Sequence, residues 1–363
     1  MESIFDYSDS GIEELVCSLD QPKFRAKQLI QWLYQRGVHS YDEMTNLPKQ
    51  FRAQLAQVAP LVPPVVCDKQ VSADGTRKYL LEFADGCRVE TVGIPSRAFN
   101  EQGEPKRLTV CFSTQVGCPM KCAFCATGQQ GFTRNLTPGE MVWQILVCQD
   151  DFGMRVSNVV AMGQGEPFLN YENLVAALHF MNAKDALGIG ARHISVSTCG
   201  ILKGIEAFGH EKEQFTLAVS LHSAIQSVRN TLMPGCKGVP LTQLKEALLH
   251  YQQASGRRVS FEYLLIKGVT DTNENLDALI RFCEDLQSHV NLLKVNPVEG
   301  SPLEPAAQSR VQAFESSLAK AGIETSIRDS RGADIDGACG QLISSHEKRH
   351  WSRTRVVTVL GVD

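Results

Sequence analysis

The sequence predicts an α/β chain: a β/α barrel, full or partial, preceded by a small helical region and a short antiparallel meander. Three observations carry this. From residue 107 onward strand-like runs alternate with helical stretches, a pattern that implies parallel strands joined by crossovers. Residues 1–60 show helical spacing, and residues 66–95 hold two hairpin signals, Asp74-Gly75 and Asp85-Gly86. A doubly wound sheet would give the same alternation, so periodicity leaves barrel and open sheet both standing. Composition sets the class: 363 residues, 43% hydrophobic and 21% charged, is ordinary globular usage and excludes disorder and collagen-like structure.

Taken in order, the first helical stretch follows Pro22, a residue suited to a first helical position. Phe24, Leu29, Ile30 and Leu33 recur near helical spacing until Gly37 stops the run, and a second helix is expected over residues 48–56. Lys23, Arg25, Lys27, Arg36, Lys49 and Arg52 make this region locally basic, on a chain of net charge −4. RKYLLEF and RVETVGI, around the two Asp-Gly turns, are rich in strand formers. Pro95, Gly103 and Pro105 then mark a loop and a boundary near residue 106. Strands are expected at 108–113, 158–162, 193–198, 215–220, 259–266, 292–296 and 324–328. The best marked helix starts at Thr137, with Pro138 first and Glu140 closing a capping box. Another spans about Thr242 to Gly256, with Leu244, Leu248 and Tyr251 on one face. The domains expected are 1–60, helical; 61–106, the meander; 107–333, the core; and 334–363, a C-terminal segment. Neither a membrane-spanning run nor a basic-then-apolar leader is read, so a cytoplasmic protein with no membrane partner is expected.

Twelve cysteines are many. Cys17, Cys67, Cys87, Cys148, Cys236 and Cys283 are expected to be buried small hydrophobes. Cys118, Cys122 and Cys125 instead form a C-x3-C-x2-C cluster directly after the first core strand, and the C-terminal ends of strands are where β/α folds place their sites. A structural zinc site needs four ligands, and no Cys or His follows within ten residues. An iron–sulfur cluster on three thiolates keeps one iron open to a small molecule. Ligand counting favours the cluster, with zinc the standing alternative.

With M-G-Q-G-E-P at 162–167, this motif resembles the radical S-adenosylmethionine superfamily. Cys111 seven residues before Cys118, A-T-G-Q-Q-G-F-T-R-N-L after the cluster, R-G-A-D-I-D-G-A-C-G-Q-L around Cys339 and F-R-A-K-Q-L-I-Q-W-L-Y-Q-R-G-V near the start narrow the match. From about residue 20 to 342 the chain resembles the RlmN/Cfr family of radical S-adenosylmethionine RNA adenine methyltransferases. Gln164 departs from the pattern, which has methionine there. The resemblance implies a partial (β/α)6 barrel of TIM type, a [4Fe–4S] cluster on Cys118, Cys122 and Cys125, and two S-adenosylmethionine molecules per turnover.

It also implies a division of labour. Cys339 takes a methyl group from one S-adenosylmethionine. A radical made from the second activates that methyl, which then adds to adenine and leaves a protein–RNA adduct. Cys111 resolves the adduct by thiol–disulfide chemistry, and Glu90 accepts the ring proton. Cofactor contacts carry over to Gly165, Glu166, Ser197, Ser220, Leu221, His222 and Asn296. The implied reaction is methylation of adenine carbon 2 in 23S rRNA and in tRNA, with the carbon-8 activity as alternative and a low-potential donor such as flavodoxin as electron source. Phe24, Trp32 and Tyr34 among the basic N-terminal residues suit phosphate contact and base stacking. The tail H-E-K-R-H-W-S-R-T-R is a second basic-aromatic stretch.

Overall fold

The computed structural model describes residues 3–296, 298 and 301–343; the basic-aromatic tail lies outside them. Twelve strands form among these residues: β1 (Val65–Val71), β2 (Arg77–Glu82), β3 (Arg88–Pro95), β4 (Leu108–Cys111), β5 (Gln115–Gly117), β6 (Phe132–Asn135), β7 (Asn158–Ala161), β8 (Ile194–Thr198), β9 (Thr216–Ser220), β10 (Val259–Leu265), β11 (Ser288–Lys294) and β12 (Glu324–Arg328). Ten of them make one sheet, β1-β2-β3-β4-β7-β8-β9-β10-β11-β12. From β4 onward all neighbours are parallel, so the parallel part has the seven strands that the sequence predicts, one more than the (β/α)6 barrel that the resemblance implies. The sequence places strands well except at β11, which begins at the polar Ser288 and not at Leu292. The β5–β6 ribbon was missed, being too short to show periodicity.

The meander is not a separate sheet. β1, β2 and β3 pair antiparallel, and β3 pairs antiparallel with β4. The expected boundary near 106 therefore divides the sequence but not the sheet. β1 and β12 remain as the two edges. The chain leaving β12 reaches back to the β1–β2 turn, where Arg331 Nε donates to Asp74 at 2.6 Å and Asp334 accepts from Ser72 Oγ at 2.6 Å.

Helices cover the outside: α1 (Asp9–Ser18), α2 (Phe24–Ile30), α3 (Lys49–Val58), α4 (Ala126–Gln130), α5 (Pro138–Phe152), α6 (Tyr171–Asn182), α7 (Leu202–Gly209), α8 (Gln226–Leu232), α9 (Leu241–Ser255), α10 (Asn273–Cys283) and α11 (Gln308–Lys320). α5 begins with the expected capping box of Thr137 and Glu140. The N-terminal region leans on α5 and α6 through aromatic rings: Phe5 lies 4.8 Å from Trp143 and Tyr34 stacks on Phe180 at 4.7 Å. α2 runs on into a wider helical turn, Gln31–Gln35, that turns Trp32, Leu33 and Tyr34 inward together. Trp32 and Tyr34 are thus core residues, buried and unable to stack on a base, while Phe24 stays 58% exposed. Two expected core cysteines, Cys17 and Cys67, are exposed instead. No helix among the described residues is long and apolar enough to cross a membrane.

Candidate active site

The predicted site residues gather at the C-terminal ends of the parallel strands, where β/α folds keep their chemistry. Cys111 ends β4, the three-cysteine loop follows β5, Gly163–Glu166 follows β7, Ser197 lies in β8 and Ser220–His222 ends β9. Cys118 and Cys122 are buried and Cys125 partly so. Burial pushes the Cys118 thiol up to about 12. Three thiolates here would be costly without a cation to offset them, and this donor set fits a thiolate-bound iron–sulfur cluster. Two further thiols adjoin the loop. Cys199, just beyond β8, accepts from Cys236 Sγ at 3.2 Å through its carbonyl, and its own thiol lies near enough to Cys122 for the two to influence each other's protonation. The sequence offered no signal for this contact beyond a cysteine at a strand end.

Behind β7 the backbone comes so close to β4 and β5 that no side chain fits. A Cβ on Gly163 would meet the Phe112 carbonyl oxygen at 2.7 Å, and one on Gly165, at φ +109, would meet Gln115 Cβ at 2.7 Å. Glu166 is fully buried and held inside the fold. One oxygen accepts from Thr198 Oγ1 at 2.8 Å and Phe168 N at 3.0 Å, the other from Cys199 N at 2.6 Å. Of about four acceptor sites on a carboxylate, an incoming ammonium would find one. Ser197 and Ser220 touch hydroxyl to hydroxyl at 3.3 Å. Burial keeps His222 neutral, with its pKa lowered to about 3, and its Nδ1 accepts from Leu264 N at 3.2 Å.

Asn296 does something the sequence did not foretell. Its Nδ2 donates to the Cys339 carbonyl at 3.0 Å and its Oδ1 accepts from Ser330 Oγ, so it holds the Cys339 segment. That segment also docks on the cluster loop: Ala126 N donates to Gly340 O at 2.7 Å and Thr127 Oγ1 to Leu342 O at 2.8 Å. Cys339 is exposed as a residue, although its thiol is partly desolvated. Burial first, then the charges of Glu262 and Cys125, push that thiol up to about 11. Cys111 lies close enough for the Cys339 charge to act on it, although the two are far apart in sequence. Glu90, which an alternating strand could have placed in solvent, is buried. Lys78 and Glu262 are site neighbours that sequence reasoning missed; Glu262 is held by Asn291 Nδ2 at 2.8 Å.

Comparisons with known proteins identify the family and the fold. Residues 3–61 match the family described as ribosomal RNA large subunit methyltransferase N-terminal domain, and residues 112–283 the radical SAM superfamily. A Gloeobacter violaceus protein named "Probable dual-specificity RNA methyltransferase RlmN" is 48% identical, covering 90% of each chain. One of the same name from Nostoc punctiforme is 45% identical, covering 90% of this chain and 88% of its own. The crystal structure of a radical SAM methyltransferase from Sphaerobacter thermophilus superposes with a TM-score of 0.88 at 39% identity, covering 95% of this chain and 100% of its own.

Proposed function

The chain belongs to the RlmN family of radical SAM RNA methyltransferases, and from that premise we propose that it methylates carbon 2 of adenine in 23S rRNA and in tRNA through an S-methylcysteine at Cys339. Membership implies a [4Fe–4S] cluster and S-adenosylmethionine. Cys118, Cys122 and Cys125 would hold the cluster, which when bound supplies the electron, drawn from a low-potential donor such as flavodoxin, that cleaves S-adenosylmethionine to a radical. One such molecule is spent there and another methylates Cys339, so two serve each turnover. A cytoplasmic place of work fits these substrates.

The chain's own residues take the remaining tasks. Cys339 Sγ loses its proton and accepts the methyl group. One hydrogen atom of that methyl goes to the radical, its carbon joins the adenine ring, and the odd electron of the adduct would return to the bound cluster. Glu90 takes the ring proton, and Cys111 Sγ, giving up its own proton, attacks the Cys339 sulfur. The S–C bond breaks, its electron pair goes to the departing carbon, which takes up a proton to become the new methyl group, and a Cys111–Cys339 disulfide remains. Gly165, Ser197, Ser220 and Leu221 offer backbone and hydroxyl groups for the cofactor. Glu166 and His222 shape that wall.

The observation that carries this reading is the docking of the Cys339 segment on the cluster loop through Ala126 and Thr127. It keeps the methyl carrier beside the group that must activate it, with Cys111 close by. The test is Cys111→Ala. Protein should accumulate covalently joined to RNA, while Cys339→Ala and the double variant should give no adduct, because one residue acts upstream of the other. Free turnover by Cys111→Ala would move the resolving role elsewhere. Nucleoside mass spectrometry against authentic standards should return 2-methyladenosine; 8-methyladenosine would overturn the assigned carbon.

A further inference from the structure

Glu90 is gripped from four directions. Glu90 and Lys78 are diagonal neighbours on the same face of the antiparallel β2–β3 pair, since Lys78 stands opposite Val92 and Leu80 opposite Glu90, a spacing that long side chains bridge. Lys78 Nζ lies 3.1 Å from Glu90 Oε1, with both side chains only 9% exposed. The other oxygen accepts from Ile343 N at 2.6 Å. The Glu90 backbone is fixed as well, its N–H by Gln164 Oε1 at 3.1 Å and its carbonyl by Ser113 Oγ at 2.7 Å. Lys78 also reaches the Asp336 carbonyl at 3.3 Å, in the segment that bears Cys339. Ion pairs this dry are costly to build, and nothing about the β2–β3 turn or the sheet edge calls for one.

We propose that Lys78 is the positioning residue for Glu90, aiming its carboxylate and keeping it ionised so that it can take the proton of the adenine ring. The proposal rests on the reading of Glu90 as proton acceptor. In that step the ring C–H bond breaks, its electron pair stays with the ring and the proton goes to a Glu90 oxygen. Lys78 remains an ammonium throughout. Each Glu90 oxygen keeps an acceptor site after its present hydrogen bond, so the grip does not block the transfer.

The electrostatics explain why a partner is needed. Burial disfavours the carboxylate and is the largest influence on Glu90; Lys78 and the Ile343 N–H pull the other way, and the net effect still leaves Glu90 above its ordinary value. The charged groups that act on it are Lys78 from β2 and Asp336 from the C-terminal segment, the latter a like charge that adds to the rise. From β4, burial keeps the Cys111 thiol neutral, and Ser113 and Gln164 bring only uncharged groups. Lys78, paired with it at 3.1 Å, is therefore a cation that offsets the cost of burying this base.

The experiment uses RNA deuterated at adenine carbon 2 and reads deuterium released to solvent between about pH 5 and pH 9. Lys78→Met should move the acid limb of the profile upward by about 1–3 pH units, the displacement expected when an opposite charge at this distance is removed, and approach the native rate at high pH. Lys78→Gln keeps a donor and removes only the charge. It should move the limb likewise, and serves where the methionine variant fails to fold. Lys78→Arg should leave the limb near its native place. Methylation of Cys339, which does not use Glu90, should persist in all three. A uniform fall in rate with an unmoved limb would reduce Lys78 to a strut and overturn the proposal. Glu90→Gln separates the two layers. If it releases deuterium at the native rate, the proton-acceptor reading itself fails; if it is inert while Lys78→Met keeps the native limb, only the role of Lys78 fails.

Discussion

The two halves of the site are held in different ways. The cluster loop is local: Cys118, Cys122 and Cys125 come from one short stretch after β5, braced by the β5–β6 ribbon and α4. The Cys339 segment is held from a distance, by Asp74 and Lys78 of the meander, Glu90 of β3, Ala126 and Thr127 of α4 and Asn296 beyond β11. A metal site needs several donors at one point, which a single loop supplies. The carrier proposed at Cys339 would have to meet the cofactor, the RNA and a resolving thiol in turn, and a segment tethered at several points can be held ready for each.

The difference predicts that the halves can be broken separately. The largest effect should come from Cys122→Ala. Iron and visible absorption should disappear and methylation of RNA should be abolished, because two thiolates do not replace three. The Cys339 segment should stay docked all the same, since its bonds to α4 run through the Ala126 N–H and the Thr127 hydroxyl. Limited proteolysis would check this: new cleavage near residues 330–343 in iron-free protein would mean that the cluster, and not the hydrogen bonds, holds the carrier.

How much of this was legible follows the same division. The cluster loop could be read because its spacing is local, and the parallel strands because apolar runs alternate with helices. The grip on the Cys339 segment could not, because each of its bonds joins residues from distant parts of the chain. Asn296 was expected at the cofactor, and its bond to the Cys339 carbonyl was not foreseen. Lys78 looked like any lysine in a hairpin strand. Trp32 and Tyr34 were misread for a related reason: a wider turn at Gln31–Gln35 changes which side chains face the core, and no 3.6-residue pattern foretells it.

An intermediate effect should come from the meander's hold. Burial alone would raise Asp74, but hydrogen bonds from Thr76, Arg331 and Gly332 outweigh it and hold the carboxyl well below its usual range. A lowered carboxylate contributes stability above its unfolded value, about 3.9, that is lost as pH falls through the folded value. The clasp should therefore survive mild acid and release the segment only in stronger acid, below the ordinary carboxylate range. Asp74→Asn should loosen residues 330–343 already at neutral pH, slow the methylation of Cys339 by several fold and leave the iron content unchanged. A fall in iron would join the two halves that the comparison separates.

The smallest effect should lie on the N-terminal helical region, remote from both halves. Lys23 pairs with Glu13 at 2.9 Å and Lys27 with Asp185 at 3.1 Å, while Arg25 donates to Gln28 and to the Asn46 carbonyl. These cations already have partners, but Lys23 and Lys27 remain mostly exposed, and exposed pairs exchange readily for a phosphate. If this surface holds RNA, neutralising Lys23, Arg25 and Lys27 should weaken binding and lower the slope of log affinity against log salt by about 0.7–0.9 for each phosphate that is no longer neutralised. The cluster spectrum and the methylation of Cys339 should not change. With Trp32 and Tyr34 buried, Phe24 is the aromatic of the three still free to stack on a base, so Phe24→Ala should weaken binding without altering the salt slope. If all four substitutions leave affinity and slope as they were, the basic stretch is a solvated helix face and the RNA is held elsewhere.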